Sequence, residues 1–330
     1  MRKKKTSTPI QFVPTPEQMA LMPDVSGNVI NGLGEAEVRP PSPIYWHHPK
    51  QIVHGDLQRW MLKRTIEVAP ETADLENHFG GRGVRARAEI ADEKVGLSSA
   101  EFTSSLKTFA LANEADLVGI TRLQPEWVFD GYKADYPNVI IIAVAMDHAE
   151  LATAPEPPSV IEVMRQYNRG TRASRALADW IRTQGYRAEA HGGPTAGSFL
   201  LIPPALACGM GELGKHGSII NRQYGSSFRL AGVLTDMPLD IDSAETFGVD
   251  DFCHLCHLCT DRCPPDAIFK EKQTVRGEVK WYVDFDACLP YFNETQGCGI
   301  CIAVCPWSRP NVAPRLAEKL MRRQAQLDNT

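Results

Sequence analysis

Eight of the nine cysteines in this 330-residue chain fall between residues 253 and 305. Cys253, Cys256, Cys259 and Cys263 stand at C-x2-C-x2-C-x3-C-P. Cys288 follows, then Cys298, Cys301 and Cys305 at C-x2-C-x3-C-P. Two-residue spacers let successive thiolates converge on one cubane, and turns at Pro264 and Pro306 carry the last cysteine of each group to the other cluster. The pattern is that of a module holding two [4Fe-4S] clusters. It assigns Cys253, Cys256, Cys259 and Cys305 to cluster one, and Cys263, Cys288, Cys298 and Cys301 to cluster two. Nine residues separate Cys288 from Cys298, a departure from simple ferredoxin spacing. Zinc would use two C-x2-C pairs across a longer loop, four ligands per ion; eight cysteines with two C-P endings fit that less well. Cys208 stands apart and reads as a small buried core residue. His254 and His257 read as solvated residues within the ligand loop.

The rest of the chain bounds what such a module serves. Thirty-five Lys and Arg against 40 Asp and Glu give a net charge of -5, which argues against a dedicated nucleic-acid binder. The basic start, MRKKKTSTPIQF, is followed by prolines rather than an apolar stretch, so no secretion signal is read there. No apolar run reaches the roughly 18 residues that span a bilayer. A cytoplasmic protein is expected, where reduced thiols suit iron–sulfur assembly. The pair His47-His48 with His54 has no spaced carboxylates beside it, and surface or interface roles are expected for all three.

The elements that position the cysteines are read from periodicity. Residues 1–97 are Pro-rich and weakly periodic, an extension expected to wrap the core, with helical pieces near 55–66 and 100–114. Tyr45 and Trp46 want burial. The residues NVIIIAVAMD (138–147) form a continuous β-branched run, a central strand buried on both faces. A helix is predicted from Ile161 to Thr183, a strand over 186–192, and a hairpin over 217–239. Residues 150–158 are predicted as a loop. Strands interleaved with helices give an α/β or α+β domain over 98–245, the cysteine module over 246–312, and a terminal helix over 313–330.

Two clusters move electrons singly but do not act on a substrate, and a carrier needs only the module. The remaining chain therefore argues for a second redox centre. No G-x-G-x-x-G opens a helix after a strand, so a Rossmann nicotinamide or flavin site lacks support. In order along the chain come LADWIRTQGYRAEAHGG, ACGMGELGKHGSIINRQYGSSFRLAGVLTDMPL, FGVDDFCHLCHLCTDRCPPDAI and WYVDFDACLPYFNETQGCGICIAVCPW. Together they resemble the cobalamin-dependent reductive dehalogenase family over roughly residues 105–312; epoxyqueuosine reductases look similar over the same span.

That resemblance implies an α+β fold: a nitroreductase-like α/β cobalamin-binding domain followed by a two-cluster ferredoxin-like domain, with base-off cobalamin between them. It implies electron passage through two clusters to the corrinoid, reductive cleavage of a carbon–halogen bond, and a Tyr hydroxyl as proton source. Tyr167 is the matching residue, placed at the start of the helix before LADWIR. A phenol is a weak acid at neutral pH, so a cation must stabilise its phenolate; Arg229 or Lys215 is expected in that role. Gly209, Gly211 and Gly214 are expected to let backbone approach the cofactor. Where many relatives place an Asn that helps the Tyr site, after the GY-x-A strand, this chain has His191-Gly192-Gly193: either His191 takes that role on the cofactor side, or the substrate pocket differs, or dehalogenation is not the activity. The implied partners are a small organohalide substrate and an external electron donor such as a ferredoxin or flavodoxin, with no nucleic acid and no membrane. The competing readings are an epoxyqueuosine-reductase-like enzyme and a non-catalytic iron–sulfur electron-transfer protein.

Overall fold

The computed structural model describes residues 12–72, 86–194 and 197–328. The basic run Arg2–Lys5 and part of the N-terminal extension lie outside the described residues. At the centre is a fully antiparallel four-stranded sheet in the order β1-β2-β4-β3. Its strands are β1 (Leu117–Arg122), β2 (Asn138–Ala145), β3 (Ala188–His191) and β4 (Phe228–Thr235). With separate helices around an antiparallel sheet, the class is α+β.

The β-branched run makes β2 an interior strand, paired with β1 on one side and β4 on the other. Its two faces feed different cores. Ile140, Ile142 and Val144 pack with Leu177, Ala178 and Ile181 of helix α3 (Pro157–Thr183) and with Phe102 and Leu106 of helix α2 (Ser99–Ala112). Val139, Ile141 and Ala143 pack with Phe199, Ala205 and Cys208 on the opposite face. Cys208 is thus core, as predicted. It sits where Gly119 of β1 has no side chain, since a Cβ there would lie 2.5 Å from Cys208 Sγ.

Helix α2 starts at a capping box, in which Ser98 and Glu101 each accept from the other's backbone N–H. Helix α3 begins four residues earlier than predicted, because Pro157 and Pro158 occupy its first turn, where a missing N–H costs nothing. Tyr167 therefore lies in the interior of α3 rather than at its start. Gly170 lets α3 cross close over β4: a Cβ there would meet Ala231 Cβ at 3.3 Å. The predicted 217–239 hairpin is instead a two-residue strand, Ile219–Ile220, then a tight turn, then β4. In that turn Asn221 and Gly225 exchange backbone hydrogen bonds at 2.7 and 3.0 Å.

The cysteine module carries α4 (Val249–Leu255), α5 (Leu258–Arg262), α6 (Phe285–Glu294) and α7 (Ile300–Ala303), followed by α8 (Val312–Asp328). Residues of the N-terminal segment lie along α6. Thr15 N and Oγ1 donate to Glu294 Oε1 at 2.8 and 2.6 Å. Gly27 N donates to Asp286 Oδ1 at 2.6 Å, and Tyr45 Oη to Asn293 Oδ1 at 2.8 Å. The helix predicted near 55–66 spans Gly55–Val68.

Candidate active site between the sheet and the cysteine module

All nine cysteines are free thiols. The eight of the module fall into two sets by mutual influence. Cys305 is acted on by Cys253, Cys259 and Cys256. Cys288 is acted on by Cys263 and Cys298; Cys301 feels Cys298 and Cys288 first, then Cys259 of the other set and Cys263. Burial pushes Cys253 and Cys298 up to about 11 and Cys288 and Cys305 up to about 12, so as free thiols they hold their protons. Backbone N–H groups work against that: Lys215 N reaches Cys253 Sγ at 3.5 Å and Ala267 N reaches Cys263 Sγ at 3.4 Å. Such donors favour thiolate and suit sulfur bound to iron. Cys298 is placed by a run of left-handed backbone from Gln296 to Gly299, with φ of 50°, 127°, 43° and 79°. Among the described residues, no three His, Cys, Asp or Glu side chains gather tightly enough for a single ion. A ring of thiols around a cubane is wider than one around an atom.

A cavity of about 860 Å³ lies between the sheet domain and the module. That is large for a small-molecule site. Cys263, Cys288, Cys298 and Cys301 line it from the module side; Cys253, Cys256, Cys259 and Cys305 do not. From the other side come Tyr167 and Met164 of α3, Arg229 of β4, Leu206 and Ala207, and His216-Gly217. The Arg229 guanidinium stands 5.4 Å from the Tyr167 ring centre. Its Nε is buried without a hydrogen-bond partner, so this cation faces the cavity unneutralised at that atom.

His216 is the one histidine among the lining residues, and both of its ring nitrogens are engaged. Ser218 N donates to Nδ1 at 3.2 Å. Nδ1 is therefore the acceptor, and the proton sits on Nε2, 3.2 Å from Ser226 Oγ, which itself donates to Ile219 O. Burial lowers His216 to about 4, keeping the ring neutral.

The structure brings Tyr167 and Arg229 together with the inner thiols, while Lys215, His191, Gly209, Gly211 and Gly214 do not line the cavity. Lys215 is fully buried against Trp281, its Nζ 4.8 Å from the ring centre, and is not a lining residue. His191 packs edge-on to Phe199 at 5.0 Å and its Nε2 stands 3.2 Å from Glu189 Oε1 without hydrogen-bond geometry. Gly209 and Gly211 admit protein backbone: a Cβ at either would lie 2.5 Å from Ser243 O or 2.3 Å from Ile220 O. Gly214 likewise makes room for His216 and Ile220, both within 2.8 Å of such a Cβ. Gly217, Gly297 and Gly299, which do face the cavity, and His216 were missed; none follows any spacing rule.

Residues 252–308 match the family model of the 4Fe-4S dicluster domain. Over 261 residues the chain is 29% identical to the tetrachloroethene reductive dehalogenase of Sulfurospirillum multivorans, covering 64% of this chain and 51% of that protein. The enzyme of the same name from Desulfitobacterium hafniense is 31% identical over 208 residues, 59% of this chain and 37% of that one. The chain is similar to the reductive dehalogenases. The solved structure of a catabolic reductive dehalogenase superposes with a TM-score of 0.74 at 24% identity, covering 81% of this chain and 41% of that one. The fold is thus that of a reductive dehalogenase, and the chain spans about half or less of the length of these relatives. An epoxyqueuosine reductase from Leadbetterella byssophila is 33% identical over 121 residues, 32% of this chain and 35% of that one. Among the described residues no helix is long and apolar enough to cross a membrane.

Proposed function

We propose that the chain is an iron–sulfur and corrinoid-dependent reductase of the dehalogenase type. The observation carrying this reading is that Tyr167, Arg229 and four module thiols face one large cavity. In this reading Cys253, Cys256, Cys259 and Cys305 hold an outer [4Fe-4S] cluster and Cys263, Cys288, Cys298 and Cys301 an inner one. Leu206, Ala207 and Gly217, which line the cavity opposite the inner set, would hold a corrinoid there. His216, whose two ring nitrogens are both engaged within the protein, would stand beside such a group as a neutral wall residue. Bound there, the corrinoid supplies a strongly reducing metal centre for cleaving a carbon–halogen bond. The net change is R–X + 2e⁻ + H⁺ → R–H + X⁻. Tyr167 Oη delivers the proton, and the Arg229 guanidinium stabilises the phenolate left behind. The apolar walls exclude water, which strengthens that interaction.

The substrate is a small organohalide, the electrons come singly from an external ferredoxin or flavodoxin, and the reduced thiols suit the cytoplasm. The test is anaerobic purification with reconstituted clusters and added hydroxocobalamin, followed by iron, cobalt and halide assays. Two clusters, one base-off corrinoid and halide release from an organohalide are expected. Full iron loading with no retained cobalt overturns the corrinoid reading. Turnover of epoxyqueuosine in a tRNA stem-loop, without halide release, moves the chain to the other enzyme class.

A further inference from the structure

Lys215 is among the largest fully buried side chains, and its Nζ has no hydrogen-bond partner. Lys107, Lys272 and Lys280 each have a carboxylate oxygen within 2.7 Å. Asp250, bonded to the same Trp281, is already taken: it accepts from Lys272 Nζ at 2.7 Å and from Trp281 Nε1 at 2.8 Å. The Trp281 face, 4.8 Å from Nζ, offers only a weak attraction. A buried ammonium of this kind is costly unless an anion compensates it.

The anion is supplied by the first thiol set. Lys215 N donates to Cys253 Sγ at 3.5 Å. The Lys215 charge favours the thiolate forms of both Cys253 and Cys259. The second thiol set has acidic neighbours instead, Asp266 beside Cys263 and Asp284 beside Cys288. A cluster with its thiolates is a net anion that gains one more negative charge on reduction, so a fixed cation beside it favours the reduced form.

We propose that Lys215 is a built-in counter-ion for the cluster held by Cys253, Cys256, Cys259 and Cys305, and that it sets this cluster's reduction potential above that of its neighbour. The chain thereby makes the outer cluster the easier one for a donor to reduce. The lysine of GELGK is a redox-positioning residue, separate from the proton-donating pair.

The test is an anaerobic EPR-monitored redox titration of the reconstituted full chain, with iron content measured alongside. Lys215→Gln is expected to lower one of the two midpoints by at least ~59 mV, a tenfold change in a one-electron equilibrium, and to leave the other unmoved. Lys215→Arg, which keeps the charge, and Lys272→Gln, on the same tryptophan, are each expected to change either equilibrium less than twofold. Unmoved midpoints in Lys215→Gln, or an equal fall in Lys215→Arg, overturn the proposal. Should Lys215→Gln not fold, pulsed EPR on reduced wild-type protein labelled with ¹⁵N-lysine is expected to detect the Lys215 amide nitrogen coupled to a cluster; absence of that coupling overturns it equally. The inference rests on the cluster assignment above but not on the corrinoid. A chain that binds no iron refutes that assignment, whereas full iron with unmoved midpoints refutes this one.

Discussion

Replacing Arg229 by Gln removes the cation that stands over Tyr167. The guanidinium carbon is 5.4 Å from the ring centre. At an effective dielectric of ~20, a unit charge at about that range stabilises a phenolate by ~3 kcal/mol, which corresponds to roughly 10²-fold in rate. Tyr167→Phe removes the proton itself, a loss of roughly 10²- to 10⁴-fold. If the two residues act as one unit, the double variant is no slower than Tyr167→Phe alone, because Arg229 then has no phenolate to stabilise. The assay is single-turnover halide release from tetrachloroethene or 3-bromo-4-hydroxybenzoic acid, compounds named with the relatives. Iron, cobalt and visible spectra are matched across the variants, so that only the proton step differs. Strictly multiplicative losses in the double variant would refute the pairing, as would an Arg229→Gln rate within twofold of wild type.

Cys288→Ala is expected to halve the iron bound per chain and to erase one of two cluster signals; full iron retention removes Cys288 from the ligand set. His216 titrates at about 4 in the fold and near 6.5 when unfolded. The unfolded chain thus binds the extra proton first as pH falls from 6.5 to 4, and stability drops by up to ~3 kcal/mol across that window. Between pH 7 and 5, wild type should lose ~2 kcal/mol more than His216→Gln in chemical denaturation, and equal losses contradict the neutral, buried ring. Leu177→Ala opens the core between α3 and the sheet, where Leu177 is fully buried; a cost of ~2–5 kcal/mol by the same method is expected, and one below ~1 kcal/mol would show that the core refills the space.

The cysteines were legible because metal chemistry fixes the spacing of ligands along the chain. Strand β2 was legible because a strand covered on both faces is apolar at successive positions, as 139–145 are. Helix α3 was placed late because two prolines look like loop unless their tolerance in a first helical turn is weighed. Gly209, Gly211 and Gly214 were expected to admit the cofactor; protein atoms stand against them, and of GELGK only Leu213 lines the cavity. Glu212 Oε1 accepts from Phe247 N at 2.6 Å and Val249 N at 3.2 Å, and Lys215 reaches Cys253, so the segment serves the cysteine module. Nothing in local pattern says which neighbour a tight turn packs against. Tyr167 and Arg229, 62 positions apart on a helix and a strand, were found only through resemblance, since the register that brings them together is set by the sheet.

The hydrogen bonds between the N-terminal segment and α6 also bear on how the chain is made. Thr15 and Glu294 are 279 positions apart, and Gly27 and Asp286 are 259 apart. The early segment leaves the ribosome long before its partner helix exists, and contacts of such separation form late in folding. The contacts that tie residues 15, 27 and 45 to α6 therefore close only after the far end of the chain has been made, and they fasten the first residues to the cysteine module rather than to the sheet that precedes it.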